Sequence, residues 1–264
     1  MNEYLTLSMK NKSNIYQDYD HIMEFEASII LCTINEIENL PRLVEKIENV
    51  AKFNYQLVFV DDGSTDGTRE YIIEYTKKHN NAKYVFNEFK TSLLVADYIG
   101  FKNANGKFFI KLDADLQHPP EKINEIYENL KKGYDIVVCS RYLNDEAKSK
   151  RNPLRGLISR IAGALAVFIL KNSRKTTDPL SGYFGFRSDL KLEINEKWRG
   201  YKTLLYILSS NPGAKVHDIF YRFEERKEGE SKIVKGLQFI RLYLTELILV
   251  KRLEIRSKKY MRKS

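Results

Sequence analysis

Short apolar runs alternate with longer amphipathic stretches through the first half of the chain. The apolar runs cover residues 27–32, 56–60, 83–86, 107–112 and 135–139. Helical periodicity falls between them, at 40–52, 68–78, 92–104 and 121–132. β-rich runs separated by helices of about ten or more residues are typical of a parallel sheet with helices on both faces. The pattern therefore predicts an α/β, Rossmann-like sheet whose functional side chains follow the carboxyl ends of the strands.

The same pattern divides the chain into three segments. We expect an N-terminal extension over 1–26, one α/β domain over 27–232, and a C-terminal helix with a basic tail over 233–264. The first segment is polar and predicts no signal peptide. The apolar runs 157–170 and 242–250 are shorter than the roughly 20 residues of a membrane-spanning helix. We therefore expect a peripheral protein, without a transmembrane helix, at the cytoplasmic face of a membrane.

The charge of the chain is unevenly distributed. A net charge of +9 arises from 44 Lys and Arg against 35 Asp and Glu, and the excess lies in residues 141–175 and 251–264. Such basic segments indicate an anionic partner, either nucleic acid, an anionic lipid surface or a phosphorylated substrate. The basic stretches match no nucleic-acid-binding module and show little aromatic interleaving, so we expect no nucleic-acid partner.

Three polar clusters follow the first, second and fourth apolar runs. The first contains Thr33, Asn35 and Glu36, while the other two cover residues 61–68 and 113–120. Because the carboxyl ends of parallel strands meet at one edge of a sheet, we expect these clusters to converge on one rim. No Walker loop or nucleophile elbow accompanies them, and the four histidines are too scattered for a zinc site.

Two explanations of these clusters remain open. Ser64, Asp66 and Thr68 are residue types that cap helices, which is the expected role for them. Capping does not account for the acids at the strand ends. The carboxylates of Asp113 and Asp115 repel each other unless a cation lies between them. Oxygen ligands of this kind suit a hard divalent ion that also binds a substrate's phosphate oxygens.

Seven motifs carry a resemblance to a known family. Four resemble those of family 2, GT-A fold glycosyltransferases: Thr-Ile-Asn-Glu (33–36), Val-Asp-Asp-Gly-Ser-Thr-Asp-Gly-Thr (60–68), Asp-Ala-Asp-Leu-Gln-His-Pro-Pro-Glu (113–121) and Val-Val-Cys-Ser-Arg-Tyr (137–142). Three more resemble polyprenyl-phosphate (dolichyl-phosphate) mannose synthases: Asp-Pro-Leu-Ser-Gly-Tyr-Phe-Gly-Phe-Arg (178–187), Gly-Tyr-Lys-Thr-Leu-Leu (200–205) and Arg-Lys-Glu-Gly-Glu-Ser-Lys (226–232). Their order and spacing extend the resemblance over residues 27–240.

The resemblance implies a function. It implies a GT-A domain over 27–232 that moves a sugar, first of all mannose from GDP-mannose, onto dolichyl or polyprenyl phosphate with inversion. Mg²⁺ or Mn²⁺ is the implied cofactor. A related transferase that uses UDP-glucose or another donor or acceptor is the first alternative, and a non-catalytic nucleotide-sugar or membrane-binding module is the second. A separate membrane-anchoring subunit is a further possible partner.

The resemblance also implies the site residues. The implied nucleotide-sugar contacts are Cys32, Thr33, Glu36, Val60, Asp61, Asp62, Asp113, Ala114, Asp115, Arg141, Arg226 and Lys232. The implied metal ligands are Asp113, Asp115 and Gln117. Asp115, Arg155 and Asp178 are the implied catalytic residues, with Arg155 at the acceptor phosphate. Asp178 has two alternatives, because it could orient a substrate hydroxyl or cap the turn at Pro179.

Some positions depart from the family pattern. Cys32 and Ile34 stand where the family usually has Pro and Tyr, residues 89–96 lack the usual glycine, and Tyr206 stands where an acidic residue is common. These departures leave the identity of the nucleotide-sugar donor open. The apolar stretch 157–170 with its basic flanks predicts either a buried core helix or a helix lying in a lipid headgroup layer, and 233–250 is a second amphipathic candidate.

Overall fold

A computed structural model describes residues 25–87, 90–143, 153–195, 198–223 and 237–261. The strands are β1 (Phe25–Thr33), β2 (Tyr55–Asp61), β3 (Ala82–Phe86), β4 (Gly106–Asp113), β5 (Ile136–Ser140), β6 (Phe184–Arg187) and β7 (Val216–Phe220). The helices are α1 (Leu40–Val50), α2 (Thr68–Lys78), α3 (Leu93–Asn103), α4 (Lys122–Lys131), α5 (Pro153–Ile169), α6 (Thr203–Ser210) and α7 (Leu237–Met261), with a 3-10 helix at Lys171–Lys175. The predicted alternation of strands and helices through β5 is confirmed.

In this part of the chain, seven strands form one mostly parallel sheet in the order β3-β2-β1-β4-β6-β5-β7. β6 is antiparallel to both of its neighbours, β4 and β5. The register places Cys32 of β1 beside Val60 of β2 on one side and beside Asp113 of β4 on the other. The ends of these three strands therefore lie at one edge of the sheet, as the sequence predicts.

Helices cover both faces of the sheet. On one face α1, α2 and α4 bury apolar side chains such as Leu43, Ile72 and Ile126, while α3 and α6 cover the other face with residues such as Phe101 and Leu204. In α1, α2 and α4 the buried residues recur at spacings of about three and four, which places them on one side, while every residue of α6 is buried. The sheet is thus sandwiched between two helical layers, and the predicted α/β fold is confirmed.

The last helices form a separate layer over α3 and α6. α5 and α7 contact each other through Tyr243, whose hydroxyl donates to the carbonyl of Ala162 at 2.6 Å, and through Lys251, whose Nζ donates to the carbonyl of Ile169 at 2.8 Å. α7 continues through most of the segment predicted as a basic tail, because Leu253 and Glu254 are buried and hold it in place. None of the described helices is long and apolar enough to span a membrane.

Candidate active site

The carboxyl edge of the sheet brings together three loops that we name by their positions. The β1 loop is residues 33–39, the β2 loop is residues 61–68 and the β4 loop is residues 113–121. Asn35 of the β1 loop has a positive φ of 51°, and its backbone N–H donates to Ser64 Oγ at 2.8 Å. The N–H of Glu36 donates to Thr68 Oγ1 at 2.9 Å. The hydroxyl groups of Ser64 and Thr68 thus hold the β1 loop in place by accepting its backbone N–H groups.

The capping role predicted for Ser64 and Thr68 is therefore wrong. Gly67 occupies the N-cap of α2 with a φ of 98°, in the left-handed region that glycine tolerates, and as a glycine it has no side chain with which to cap the helix. The two hydroxyls instead serve the β1 loop. Asp66 supports the start of the helix, since its carboxylate accepts the N–H of Thr68 at 3.1 Å and the N–H of Ile37 at 3.1 Å.

Asp61, at the end of β2, is completely buried. Its Oδ1 accepts the N–H groups of Gly63 and Ser64 at 3.2 and 3.0 Å and the Nε–H of Arg69 at 2.5 Å, and its Oδ2 accepts the hydroxyls of Ser64 and Thr33. Burial opposes ionisation, but the hydrogen bonds from Ser64 and Arg69 lower the pKa of Asp61. This carboxylate organises the β2 loop.

Asp62 is turned towards the segment that follows β3. Its carboxylate accepts the N–H of Thr91 at 2.9 Å, the hydroxyl of Thr91 at 2.9 Å and the amide of Asn87 at 3.0 Å. The nucleotide contacts implied for Asp61 and Asp62 remain predictions. In the structure, both carboxylates already accept several hydrogen bonds from the protein.

The β4 loop differs because part of its first carboxylate is accessible. The side chain of Asp113 is 37% exposed, and its Oδ1 accepts a hydrogen bond of 2.5 Å from Lys111 Nζ. Burial opposes ionisation of Asp113, yet the ammonium group of Lys111 lowers its pKa to about 2. Asp115 Oδ1 accepts the N–H of Gln117 at 3.2 Å, and Leu116 between them has a φ of 59°. The left-handed turn at Leu116 places Asp115 and Gln117 on the same short loop as Asp113.

His118 closes the β4 loop as an uncharged group. Its Nδ1 accepts the backbone N–H of Asp113 at 3.0 Å, and Asp113 Oδ2 lies 3.9 Å from the same nitrogen. Burial lowers the pKa of His118 to about 4. The ring packs against Tyr183 and Tyr221, with centroid distances of 5.2 and 5.7 Å. His118 therefore holds the β4 loop against the aromatic rings of Tyr183 and Tyr221.

Beneath the β4 loop lies a buried polar chain that the sequence analysis missed. Lys111 is 2% exposed, and its Nζ lies 3.9 Å from Asp97 Oδ2 on α3. Asp97 also accepts the thiol of Cys32 at 3.2 Å and the hydroxyl of Thr203 at 2.5 Å. Burial raises the pKa of Cys32 well above its usual value, so the thiol stays protonated. A lysine within the apolar run 107–112 was the available sequence signal.

Arg141 and Asp178 form an ion pair beside this loop. Arg141 Nε donates to Asp178 Oδ2 at 2.7 Å and Nη2 donates to Oδ1 at 2.8 Å, with both side chains largely buried. The guanidinium group also lies over the rings of Tyr142 and Phe223, at 5.3 and 5.9 Å from their centroids. Neither alternative considered for Asp178 includes this pair, in which the carboxylate fixes the plane of the guanidinium group.

Lys202 is a second cation at the site that sequence reasoning did not identify. It is the last residue of the turn before α6. Its ammonium group interacts electrostatically with Arg141, Glu246, Asp113 and Asp178. Burial and then the charge of Arg141 lower the pKa of Lys202 to about 8. Its motif, residues 200–205, was part of the resemblance, but the sequence alone did not show that this lysine faces the β4 loop.

The remaining implied residues fall into three groups. Val60 is buried next to the β1 loop, and Ala114 is buried between Asp113 and Asp115, which we call the D-x-D pair. Thr33 and Glu36 are buried in the β1 loop. Arg155 is in α5, but its side chain lies outside the described part of the chain. The following residues lie wholly outside it: Arg226 and Lys232. Their implied roles stay predictions.

The donor atoms of the β4 loop fit a hard divalent cation. Among the described residues, no group of three or more His, Cys, Asp or Glu side chains could hold a metal ion by itself. Asp113 and Asp115 offer carboxylate oxygens and Gln117 offers an amide oxygen. Mg²⁺ is commonly held by one or two carboxylates together with substrate phosphates. These residues would therefore hold such an ion jointly with a diphosphate.

Comparisons with known proteins show what this chain is similar to. Residues 28–194 match the model of the family "Glycosyl transferase family 2". A dolichol-phosphate mannosyltransferase of Pyrococcus furiosus is 36% identical over 209 residues, which is 79% of this chain and 59% of that protein. The chain thus spans less than two thirds of this relative. A dolichol-phosphate mannosyltransferase of Saccharomyces cerevisiae is 27% identical over 80% of this chain and 82% of that protein.

A solved structure shares the fold at low sequence identity. Glucosyl-3-phosphoglycerate synthase from Mycobacterium tuberculosis, in complex with Mn²⁺, UDP-glucose and phosphoglyceric acid, superposes with a TM-score of 0.64 at 15% identity. The match covers 87% of this chain and 80% of that chain. At this identity the likeness concerns the fold alone.

Proposed function

Because the chain belongs to glycosyl transferase family 2, we propose that it transfers a sugar, with GDP-mannose as the first donor to test, onto dolichyl or polyprenyl phosphate. One observation carries the proposal. The two carboxylates of the D-x-D pair, Asp113 and Asp115, lie at the same edge as two cations, Arg141 and Lys202. Carboxylates for a metal ion beside cations for phosphates are what a nucleotide-sugar diphosphate requires. The names of the relatives supply the acceptor class.

The reaction is a single displacement at the anomeric carbon. An oxygen of the acceptor phosphate forms the new bond to that carbon. The bond to the diphosphate oxygen breaks, and its electron pair stays on the nucleoside diphosphate, so the configuration inverts. The acceptor phosphate is ionised near neutral pH and needs little help from a general base.

The residues of this chain hold and neutralise the reactants. Asp113, Asp115 and Gln117 would hold the divalent cation, which would supply Lewis-acid stabilisation to the donor diphosphate. Arg141, with its plane fixed by Asp178, and Lys202 stabilise the negative charge that develops on the leaving group. The role proposed for Arg155 is to bind the acceptor phosphate.

We propose that the lipid acceptor is reached at a membrane surface formed by α5 and α7. α5 exposes Leu157, Ile158, Ile161 and Phe168, of which Phe168 is 80% exposed, and α7 exposes Ile240, Leu244, Ile248 and Ile255. The basic side chains of Arg160, Lys171 and Arg174 are exposed on or just after α5. Apolar rows with basic neighbours suit the headgroup region of an anionic bilayer.

A transfer screen tests the enzymatic proposal. The protein is incubated with labelled GDP-mannose or UDP-glucose and one polyprenyl phosphate, with Mg²⁺, with Mn²⁺ or with a chelator. We expect metal-dependent formation of mannosyl lipid phosphate. Transfer from UDP-glucose alone would replace the proposed donor. Nucleotide-sugar binding without transfer, at saturating metal and acceptor, would favour the binding-module alternative and contradict the proposal.

Sedimentation with anionic vesicles tests the membrane surface. Phe168→Asp places a charge in the apolar row of α5, and we expect it to lower vesicle binding about tenfold. Tyr84→Asp is the control, because Tyr84 is an exposed aromatic residue on β3, the strand at one end of the sheet. Equal binding by both variants would contradict the assignment of this surface.

A further inference from the structure

A buried carboxylate of the C-terminal helix α7 contacts the turn of residues 200–202, which includes Lys202. Glu246 is 2% exposed, and its Oε1 accepts the backbone N–H groups of Tyr201 and Lys202, both at 3.0 Å. Burial raises the pKa of Glu246 to about 7. Tyr206, which stands where the resemblance has an acidic residue, is also buried, and this burial together with the charge of Glu246 raises its pKa.

The same turn is held from its other side by α3. The N–H of Leu94 donates to the carbonyl of Gly200 at 3.1 Å. A Cβ atom at Gly200 would lie 2.5 Å from Glu246 Oε1 and 2.9 Å from Leu94 Cδ2, both too short for contact. Glycine at this position therefore allows the carboxylate and α3 to close on the backbone. The residues that set the position of Lys202 thus come from two helices far apart in the sequence.

Glu246 contacts neither reactant in the proposed mechanism. Its two hydrogen-bond donors are consecutive backbone amides, and the second of them belongs to Lys202 itself. A buried side-chain oxygen that accepts two consecutive backbone N–H groups fixes the local backbone conformation. The direction in which the Lys202 side chain leaves the backbone depends on that conformation. The hydrogen bond from Leu94 reaches the carbonyl of Gly200 and not the backbone N–H groups of residues 201 and 202.

We infer that Glu246 is a positioning residue, which aims Lys202 at the donor diphosphate from the C-terminal helix. This inference rests on the proposed function, since it assumes that Lys202 binds a phosphate group. It makes α7 part of the donor site as well as part of the apolar surface. Glu246 does not touch the substrate; its effect passes through the backbone of residues 201–202.

Binding of a nucleoside diphosphate and its monophosphate separates positioning from general stability. GDP and GMP are titrated calorimetrically onto the full chain with Mn²⁺, and UDP and UMP are run in parallel. Glu246→Met removes the carboxylate at similar volume, and Glu246→Asp withdraws it from the two N–H groups while keeping its charge. We expect Glu246→Met to weaken GDP binding about tenfold and GMP binding less than about twofold. Glu246→Asp should show a smaller loss of affinity that is again selective for GDP. This variant replaces Glu246→Met in the test if Glu246→Met does not fold.

A double-mutant cycle completes the test. Lys202→Met should weaken GDP selectively, and adding Glu246→Met to it should cause no further loss, because both changes remove one interaction. Glu246→Gln, which keeps an acceptor oxygen, should bind GDP within about threefold of the original chain. An equal loss for GDP and GMP in the Glu246 variants, or additive losses in the double variant, would overturn the inference. If Lys202→Met leaves the GDP to GMP ratio unchanged, the proposed phosphate contact of Lys202 fails, and the inference with it.

A second buried glutamate on the same helix provides the matched control. Glu254 is also nearly inaccessible, and it accepts the N–H of Asn172 at 2.8 Å and the ammonium group of Lys251 at 2.9 Å. It fastens α7 to the 3-10 helix and not to the turn of Lys202. Glu254→Met should therefore alter GDP and GMP binding by the same factor. A selective loss of GDP in this control would show that any loosening of α7 suffices, which contradicts a specific role for Glu246.

Discussion

The β2 loop and the β4 loop look alike in sequence and differ in structure. Each begins with an aspartate at a strand end, and each of these aspartates pairs with a cation at 2.5 Å, Asp61 with Arg69 and Asp113 with Lys111. Asp61 is completely buried and accepts hydrogen bonds from Gly63, Ser64 and Thr33 as well. The side chain of Asp113 keeps 37% of its surface exposed.

This contrast shows that acidity and spacing alone do not identify a ligand-binding carboxylate. In the β2 loop the backbone turns around Asp61, so its oxygens accept N–H groups of the loop itself. In the β4 loop the left-handed residue Leu116 turns the chain, and Asp113 Oδ2 faces the uncharged His118. The oxygens of Asp61 are therefore occupied by hydrogen bonds from its own loop, while the side chain of Asp113 stays partly exposed.

The largest expected effect comes from the β4 loop. Asp115→Ala removes one of the two D-x-D carboxylates, and we expect sugar transfer to fall by at least about a hundredfold, because charge stabilisation at the diphosphate is lost. The free energy of unfolding should change by less than about 1 kcal/mol. Transfer is measured with labelled donor and lipid phosphate, and unfolding is measured in urea. Undiminished transfer by the folded variant would refute the metal-ligand assignment.

We expect Asp61→Asn to lower the stability of the protein and to change nucleotide binding little, the reverse of Asp115→Ala. The amide cannot replace the carboxylate as acceptor for Arg69, Ser64 and Gly63 together, so we expect the free energy of unfolding to fall by about 2 kcal/mol. The same variant tests the implied nucleotide contact. Because Asp61 is completely buried, GDP affinity should change less than about threefold in the folded protein. A larger loss of affinity with unchanged stability would reverse the comparison of the two loops.

The strands and helices up to β5 were largely predictable because each is a local pattern. The helix predicted over 68–78 is α2 (Thr68–Lys78), with the same bounds. The short strand β6 (Phe184–Arg187) was missed, since four residues with a glycine show no alternation, and its place between β4 and β5 is decided by tertiary packing. Gly185 is needed there because a Cβ atom would lie 2.3 Å from Ile126.

The site was predictable where residues lie close in sequence and not where they meet across the fold. The D-x-D pair and the convergence of the three loops followed from strand order. The pairing of Arg141 with Asp178 and the approach of Lys202 depend on contacts between residues 24 or more apart in sequence. Lys111 was hidden for a different reason, since a lysine in an apolar run does not reveal which carboxylate it will meet.

The acid dependence of stability offers a third measurement on the β2 loop. The pKa of Asp61 is lowered in the folded protein from an ordinary value of 3.8, so its ionised form favours folding. That contribution is complete above the ordinary value and is lost as the pH falls through the lower folded value. Urea unfolding from pH 6 to pH 3 should therefore show the stability of the original chain and of Asp61→Asn converging at the acid end. A constant difference at all pH values would contradict the assigned ionisation.

Asp66 should give the smallest of these effects. Its carboxylate accepts the N–H groups of Ile37 and Thr68 and lies at the exposed side of the β2 loop. Asp66→Ala should lower the free energy of unfolding by about 1 kcal/mol, half the effect of Asp61→Asn, because water can replace part of these hydrogen bonds. Asp66→Asn, which keeps an acceptor oxygen, is the matched control and should lose less. If both variants lost as much stability as Asp61→Asn, burial would not be what separates the carboxylates that build the fold from those that can bind a ligand.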